Sequence, residues 1–168
     1  ESGLISIAEA AVATRHGKHR MAIATLSSVP SSSAAAPAAA RAKAEVYLLH
    51  RRDPRAFIRC FEELTEESAS GGHGSHDDAP PRGPGARAAA FVSLGDAHLR
   101  IQQPEKAIGA YQAALQLSQA AGVNKGAGGG ASGAATLAAK IGRVMTSMHD
   151  FEAAIRYYEQ SLRGLPPP

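Results

Sequence analysis

Between Arg87 and Ala120 apolar side chains recur at steps of three and four residues, the spacing that keeps them on one face of an α-helix, and the pattern is broken once, just before Pro104. Phe91, Leu94 and His98 share one side of the first half, and Gly95 sits where a bulky residue would hold a neighbouring helix away. In the second half Ala107, Ile108, Tyr111, Ala114 and Leu115 form one apolar stripe, with Ala107 as its point of close approach. Pro104 cannot extend a preceding hydrogen-bond ladder but fits the first turn of a new helix. Helix A is therefore predicted to end near Gln102 and helix B to begin at Pro104, with Glu105 near its positive end.

The pattern repeats. Ala138-x-x-Ile141-Gly142-x-x-Met145 is followed by Ala154-x-x-x-Tyr158, and Gly142 to Ala154 is twelve residues, as is Gly95 to Ala107. Ala44 and Ala56 hold the same two slots in an earlier copy, with Tyr47 and Cys60 at the aromatic positions. Ala10 and Ala22 hold them in a weaker copy without Gly. The four units are placed near 3–36, 37–70, 88–121 and 135–168. The order Phe91-x-x-Leu94-Gly95-x-x-His98, then Ala107-x-x-x-Tyr111, resembles the tetratricopeptide signature, with His98 for the usual Tyr. The resemblance implies an all-α, right-handed superhelical solenoid of about four helix-turn-helix units. Such units stack because one helix pair cannot cover its own hydrophobic face.

Within the second unit Pro54 is expected to open helix B with Asp53 as its N-cap, and Ala56, Phe57, Cys60 and Leu64 as its buried stripe. Two inserts, 68–86 and 122–133, separate the later units and are expected to be flexible. The first contains His73, His76, Asp77 and Asp78, but the spacing is loose and the surrounding glycines leave these side chains unfixed, so no metal site is expected. The second imitates a dinucleotide fingerprint at Gly126-x-Gly128-x-x-Ala131, with no strand before it to give the motif meaning.

Aromatic residues make up only 5% of the 168 residues and Trp is absent, so the core must be built from Ala, Leu, Ile and a few Tyr and Phe. The first residue is Glu1, and the first unit has no polar cap before Leu4 and Ile5, which reads as an internal piece of a longer protein. No apolar run reaches the roughly 18 residues of a membrane span. The single Cys60 lies on the apolar side of a helix and reads as a small buried hydrophobe. The net charge of +3 comes from clusters such as Arg15 to Arg20 and His50 to Arg55, placed at helix-helix turns, without the interleaved aromatics of a nucleic-acid surface. Ser93 and Ser161 lack a nucleophile turn, and Glu62, Glu63, Glu66 and Glu67 read as a solvated acidic face. No catalytic residue, cofactor, small-molecule substrate or nucleic-acid partner is expected.

Beyond the general repeat, several blocks are similar to the tetratricopeptide-repeat protein 21 family. They are Tyr47-Leu48-Leu49-His50-Arg51-Arg52-Asp53, Leu94-Gly95-Asp96-Ala97-His98 with Pro104-Glu105-Lys106-Ala107-Ile108, Leu137 to Gly142, and Ala154-Ile155-Arg156-Tyr157-Tyr158-Glu159. The resemblance implies the large all-repeat subunit of intraflagellar transport complex A, a non-enzymatic ciliary scaffold for retrograde transport whose partners are other protein subunits. Two other classes stay open: a peptide-binding adaptor of the co-chaperone type, and a regulatory segment of a larger enzyme. Adaptors that grip acidic C-termini need an Asn after the Gly slot of helix A, where this chain has Ala11, Glu45, Asp96 and Arg143.

If helix A faces inward in every unit, a partner groove is expected along Leu48, Leu49, Val92 and Leu99, flanked by Asp96, Arg100 and Arg143. An amphipathic helix suits that mixture. The competing reading has these Leu residues packing against helix A of the adjacent unit.

Overall fold

The computed structural model describes residues 2–30, 33–69, 84–124 and 130–163. Among them there are helices and no strands: α1 (Ser2–Arg15), α2 (His19–Ser27), α3 (Ala36–Glu45), a π-helical turn (Val46–His50), α4 (Pro54–Ala69), α5 (Pro84–Arg100), α6 (Pro104–Asn124), α7 (Gly130–Ser147) and α8 (Phe151–Arg163). They form four antiparallel pairs in two compact units, Glu1–Pro81 and Arg82–Pro168. The stretches expected to be flexible are helical at their edges: α4 runs to Ala69, α5 begins at Pro84, α6 reaches Asn124 and α7 begins at Gly130. Pro84 suits a first helical turn, and the Ala-rich run behind it propagates one. His73, His76, Asp77, Asp78 and the Gly126–Gly128 motif lie outside the described residues.

Each helix pair turns in the same way. A residue with positive φ follows helix A, namely Gly17 (73°), Arg52 (52°), Gln102 (59°) and His149 (63°). The backbone N–H of the residue after it reaches back into the last turn of helix A: Lys18 to Ala13 O at 2.9 Å, Gln103 to His98 O at 2.9 Å, Asp150 to Met145 O at 3.0 Å. This is the left-handed helix stop that satisfies carbonyls the helix itself leaves open. In the second pair the corresponding bond runs from Asp53 N to Tyr47 O at 3.0 Å, one residue longer, and Arg51 N bonds Val46 O at 3.3 Å in a π turn.

That extra residue moves the register of α4. Counted from the turn, the position of Ala22, Ala107 and Ala154 belongs to Phe57, which is fully buried, whereas Ala56 is only half-buried. The tyrosine position belongs to buried Phe61 for the same reason, and Cys60 sits beside it. Asp53 caps α4 through Oδ1, accepting from Arg55 N at 3.1 Å and Ala56 N at 3.0 Å. Asp150 does the same for α8 with Ala153 N at 3.1 Å.

In the first unit Ala10, Ala22, Leu26 and Ala39 form the core, where α1, α2 and α3 meet. Ala44 and Ala36 are also buried, and Phe57 meets Phe61 edge to face at 5.4 Å. In the second unit the core is Ala107, Ile108, Tyr111, Ala114 and Leu115 of α6 against Leu137, Ile141 and Val144 of α7. Phe91, Val92 and Met145 pack around it, and Leu94, Ala138 and Ala154 are buried.

Candidate partner-binding surfaces

The close-approach glycines are set by tyrosines sixteen residues on. A Cβ at Gly95 would stand 2.6 Å from Cε1 of Tyr111, and one at Gly142 would stand 3.0 Å from Cε1 of Tyr158. At Gly95 only a hydrogen leaves room for the ring, whereas at Gly142 the Tyr158 ring would have to give by a few tenths of an ångström. The first unit has Ala10 at that position with the smaller Leu26 in its cluster.

The Tyr111 hydroxyl, carried over α5 in this way, donates a hydrogen bond to the Asp96 carboxylate. Lys140 of α7 closes the group, with Nζ 2.9 and 3.2 Å from the two Asp96 oxygens and 5.5 Å from the Tyr111 ring centroid. Three helices are thus joined through one carboxylate. Burial pushes the Tyr111 phenol well above its ordinary value, and the hydrogen bond and charge of Asp96 push it further. Gln112 Nε2 of α6 donates to the Tyr157 hydroxyl of α8 at 2.8 Å, so Tyr157 turns inward to the third repeat.

The seven residues expected to line the groove separate by unit. Leu48 and Leu49 stand on the π turn of the first unit, half-buried and 62% exposed respectively. Leu49 lines a shallow groove of about 220 Å³ with Ile7, Ala11, Thr14 and Glu45, between α1 and the α3–π-turn segment. In the second unit Val92 packs against the α6–α7 core, Asp96 is held by Tyr111 and Lys140, and Leu99, Arg100 and Arg143 are exposed. Lys140 was not legible as a site residue, because its pairing with Asp96 spans 44 positions and shows only once both are counted from their glycines.

The remaining chemistry is structural. Cys60 is buried, its Sγ 3.2 Å from Ala56 O, and burial pushes its thiol up to about 11, which leaves it a poor nucleophile. Glu63 of the acidic face pairs with Lys43 and Arg59, each at 3.3 Å. Among the described residues no group of three or more His, Cys, Asp or Glu converges as metal ligands, and no helix is long and apolar enough to cross a membrane.

Paired helices with a Gly–Tyr seat and a common turn define a tetratricopeptide-type α-solenoid protein, and residues 90–124 match the tetratricopeptide repeat family model. Residues 1–64 match the model described as the tetratricopeptide repeat protein 21 ARM repeat. The chain is 31% identical to tetratricopeptide repeat protein 21B of Homo sapiens over 159 residues, 95% of this chain and 10% of that one. Its identity to the Mus musculus 21B protein is 31% over 160 residues, again 95% of this chain and 10% of the relative. The chain belongs to the tetratricopeptide repeat protein 21 family, and it spans about a tenth of the length of these relatives. The fold is shared with the crystal structure of BtubC from P. vanneervenii, at TM-score 0.61 and 15% identity over 99% of this chain and 66% of that one.

Proposed function

We propose that this chain is a non-enzymatic repeat scaffold that docks protein subunits, and that it serves within an intraflagellar transport complex A subunit supporting retrograde ciliary transport. Membership of the tetratricopeptide repeat protein 21 family carries this reading. The geometry adds to it: where an acid-gripping adaptor needs an Asn, Asp96 is already committed to Tyr111 and Lys140, and Glu45 would repel an acidic tail. The α1–α3 groove, apolar at Ile7, Ala11 and Leu49 with Glu45 on its edge, suits an amphipathic helix with a basic flank. Within the second unit, taken by itself, we assign a docking surface to Leu99, Arg100 and Arg143.

Affinity capture from ciliated cells with the full-length parent protein tests the assignment. Recovery of ciliary transport subunits supports the scaffold, and recovery of heat-shock chaperones instead supports the adaptor. Leu99→Asp combined with Arg143→Glu is expected to abolish partner capture with the helical circular-dichroism signal intact. Loss of helicity would make these residues core, and undiminished capture would place the partner elsewhere.

A further inference from the structure

The two basic clusters of the first unit meet at one edge. The ring of His19, in the first turn of α2, stacks on that of His50, at the end of the π turn, with centroids 4.3 Å apart and planes 17° from parallel. The stack holds the α1–α2 turn beside the turn that precedes α4. It brings Arg15, Lys18 and Arg20 of the first turn next to Arg51, Arg52 and Arg55 of the second, all of them exposed. The single acid in these two stretches is Asp53, whose carboxylate is committed to capping α4. Among the described residues none of the six cations stands in an ion pair, and Arg51 lies over the Tyr47 ring at 5.9 Å.

Folding does not account for this concentration. The negative end of helix A favours Arg15 and Arg51, but Lys18, Arg20 and Arg55 stand at the starts of α2 and α4, where the helix dipole disfavours a cation. Neither of these helices has an acid in its first turn, whereas α6 has Glu105 and α8 has Glu152 there. The equivalent turns of the later repeats, Arg100 to Glu105 and Ser147 to Glu152, carry no excess of cations. Like charges so placed repel one another, and an anion laid over them relieves that repulsion. The exposure does not depend on where the chain begins. Helix α3 packs on both α1 and α2 and still leaves Arg15 to Lys18 exposed, because a neighbouring repeat covers the faces of a helix pair and not its turn.

We infer that the edge formed by these two turns is a docking site for an acidic, extended segment of a partner protein. Packed helices stand roughly 8–10 Å apart, and alternate side chains of an extended chain share one face about 6.6–6.8 Å apart. Three Asp or Glu residues at alternate positions therefore reach both turns. Five of the six cations are Arg, whose planar fork takes one carboxylate on two bonds. A lipid surface presents diffuse charge and is served as well by Lys. A single-stranded nucleic acid asks for aromatic faces on which bases stack, and Tyr47 is half-buried beside Arg51. The same cations repel a metal ion from the two imidazoles. The edge is separate from the α1–α3 groove, whose Glu45 would repel the same segment, and stands whether or not the chain serves in a transport complex.

The test uses the full chain and a labelled peptide of about eight glutamates, with a glutamine peptide of the same length as control, read by fluorescence anisotropy at low salt. The glutamate peptide is expected to bind and to weaken as salt screens the charges, and the glutamine peptide is not expected to bind. Arg20→Glu and Arg55→Glu, one on each turn, are each expected to weaken binding about threefold to tenfold, and together by the product of the two. Both replacements place an acid at the start of a helix, so the double variant is expected to melt at the same temperature or higher. The charge-matched pair Arg100→Glu with Arg143→Glu in the second unit is expected to change binding by less than about twofold. Absence of binding by the glutamate peptide would overturn the inference. Equal weakening by the charge-matched pair would also overturn it, since net charge alone would then draw the peptide. So would unfolding of the double variant, which would make these cations part of the fold, or a full effect from one turn and none from the other. Retention of phosphatidylserine vesicles or poly-uridine through Arg20 and Arg55, with the glutamate peptide unable to displace them, would give the edge to a membrane or a nucleic acid instead.

Discussion

A methyl group at Gly95 would press into a ring that cannot move, since Tyr111 is buried and tied by its hydroxyl to Asp96. At Gly142 the same methyl meets a ring with an open side. Alanine gains about 1 kcal/mol over glycine in a helix interior, whereas overpacking costs about 1–3 kcal/mol. Gly95→Ala is therefore expected to lower stability by about 1 kcal/mol net and Gly95→Leu by the upper end of that range, while Gly142→Ala should be neutral or stabilising. Urea unfolding midpoints decide this, and equal losses at the two glycines would show that Tyr158 is held as firmly as Tyr111. Two acids also keep their protons longer in the fold than in the unfolded chain. Cys60 is raised from 9.0 to about 11, and Tyr111 is raised above 10.0. Below those ordinary values neither group alters stability. Above them the unfolded chain ionises first, so stability falls as pH rises, by on the order of 2 kcal/mol for the thiol once pH passes its folded value. Cys60→Val should flatten the decline between 9.0 and about 11 in unfolding measured across alkaline pH; an unchanged slope would mean that the thiol ionises freely.

At the scale of the element, the twelve-residue step from helix A to helix B was legible because small residues mark both of its ends. The pairs follow it in three of four repeats. In the second it was misleading: Ala44 and Ala56 keep the spacing, but the π turn inserts a residue and gives the close-approach place to Phe57 and the aromatic place to Phe61. Val46-Tyr47-Leu48-Leu49-His50 holds no Gly or Pro to announce a wider turn, and Ala56 is small by coincidence. Deleting exposed Leu49 should restore the common turn, leaving helical content intact and the melting temperature within a few degrees while removing a residue from the α1–α3 groove. Unfolding of that variant would show that the π turn is needed for packing. Asp53 could be read from the sequence as a cap, and its removal in Asp53→Ala should cost about 1 kcal/mol by the same unfolding assay. The Asp96–Lys140 pair and the inward turn of Tyr157 could not be read, since each joins different repeats.

At the scale of the molecule, stability depends on the seams between repeats as well as on the packing within each repeat. The core of the second compact unit contains α6 residues and α7 residues in one cluster, so Leu137, Ile141 and Val144 are buried in part by the preceding repeat. Full burial of one such side chain is worth about 1.5–3 kcal/mol, and a domain's net stability is only about 5–15 kcal/mol. Losing three of them removes most of what an isolated pair has to offset its conformational entropy. A fragment of residues 82–168 keeps the seam, the Gly95–Tyr111 seat and the Asp96–Lys140 pair, and is expected to show native-like helicity and one cooperative urea transition. A fragment of residues 130–168, which holds α7 and α8 alone, is expected to show low helicity and no cooperative transition by circular dichroism. If the shorter fragment unfolded cooperatively, the pair would be self-sufficient and the apolar face of α8 would need no partner for its stability. If the longer one failed to fold, its stability would have to come from residues outside 82–168.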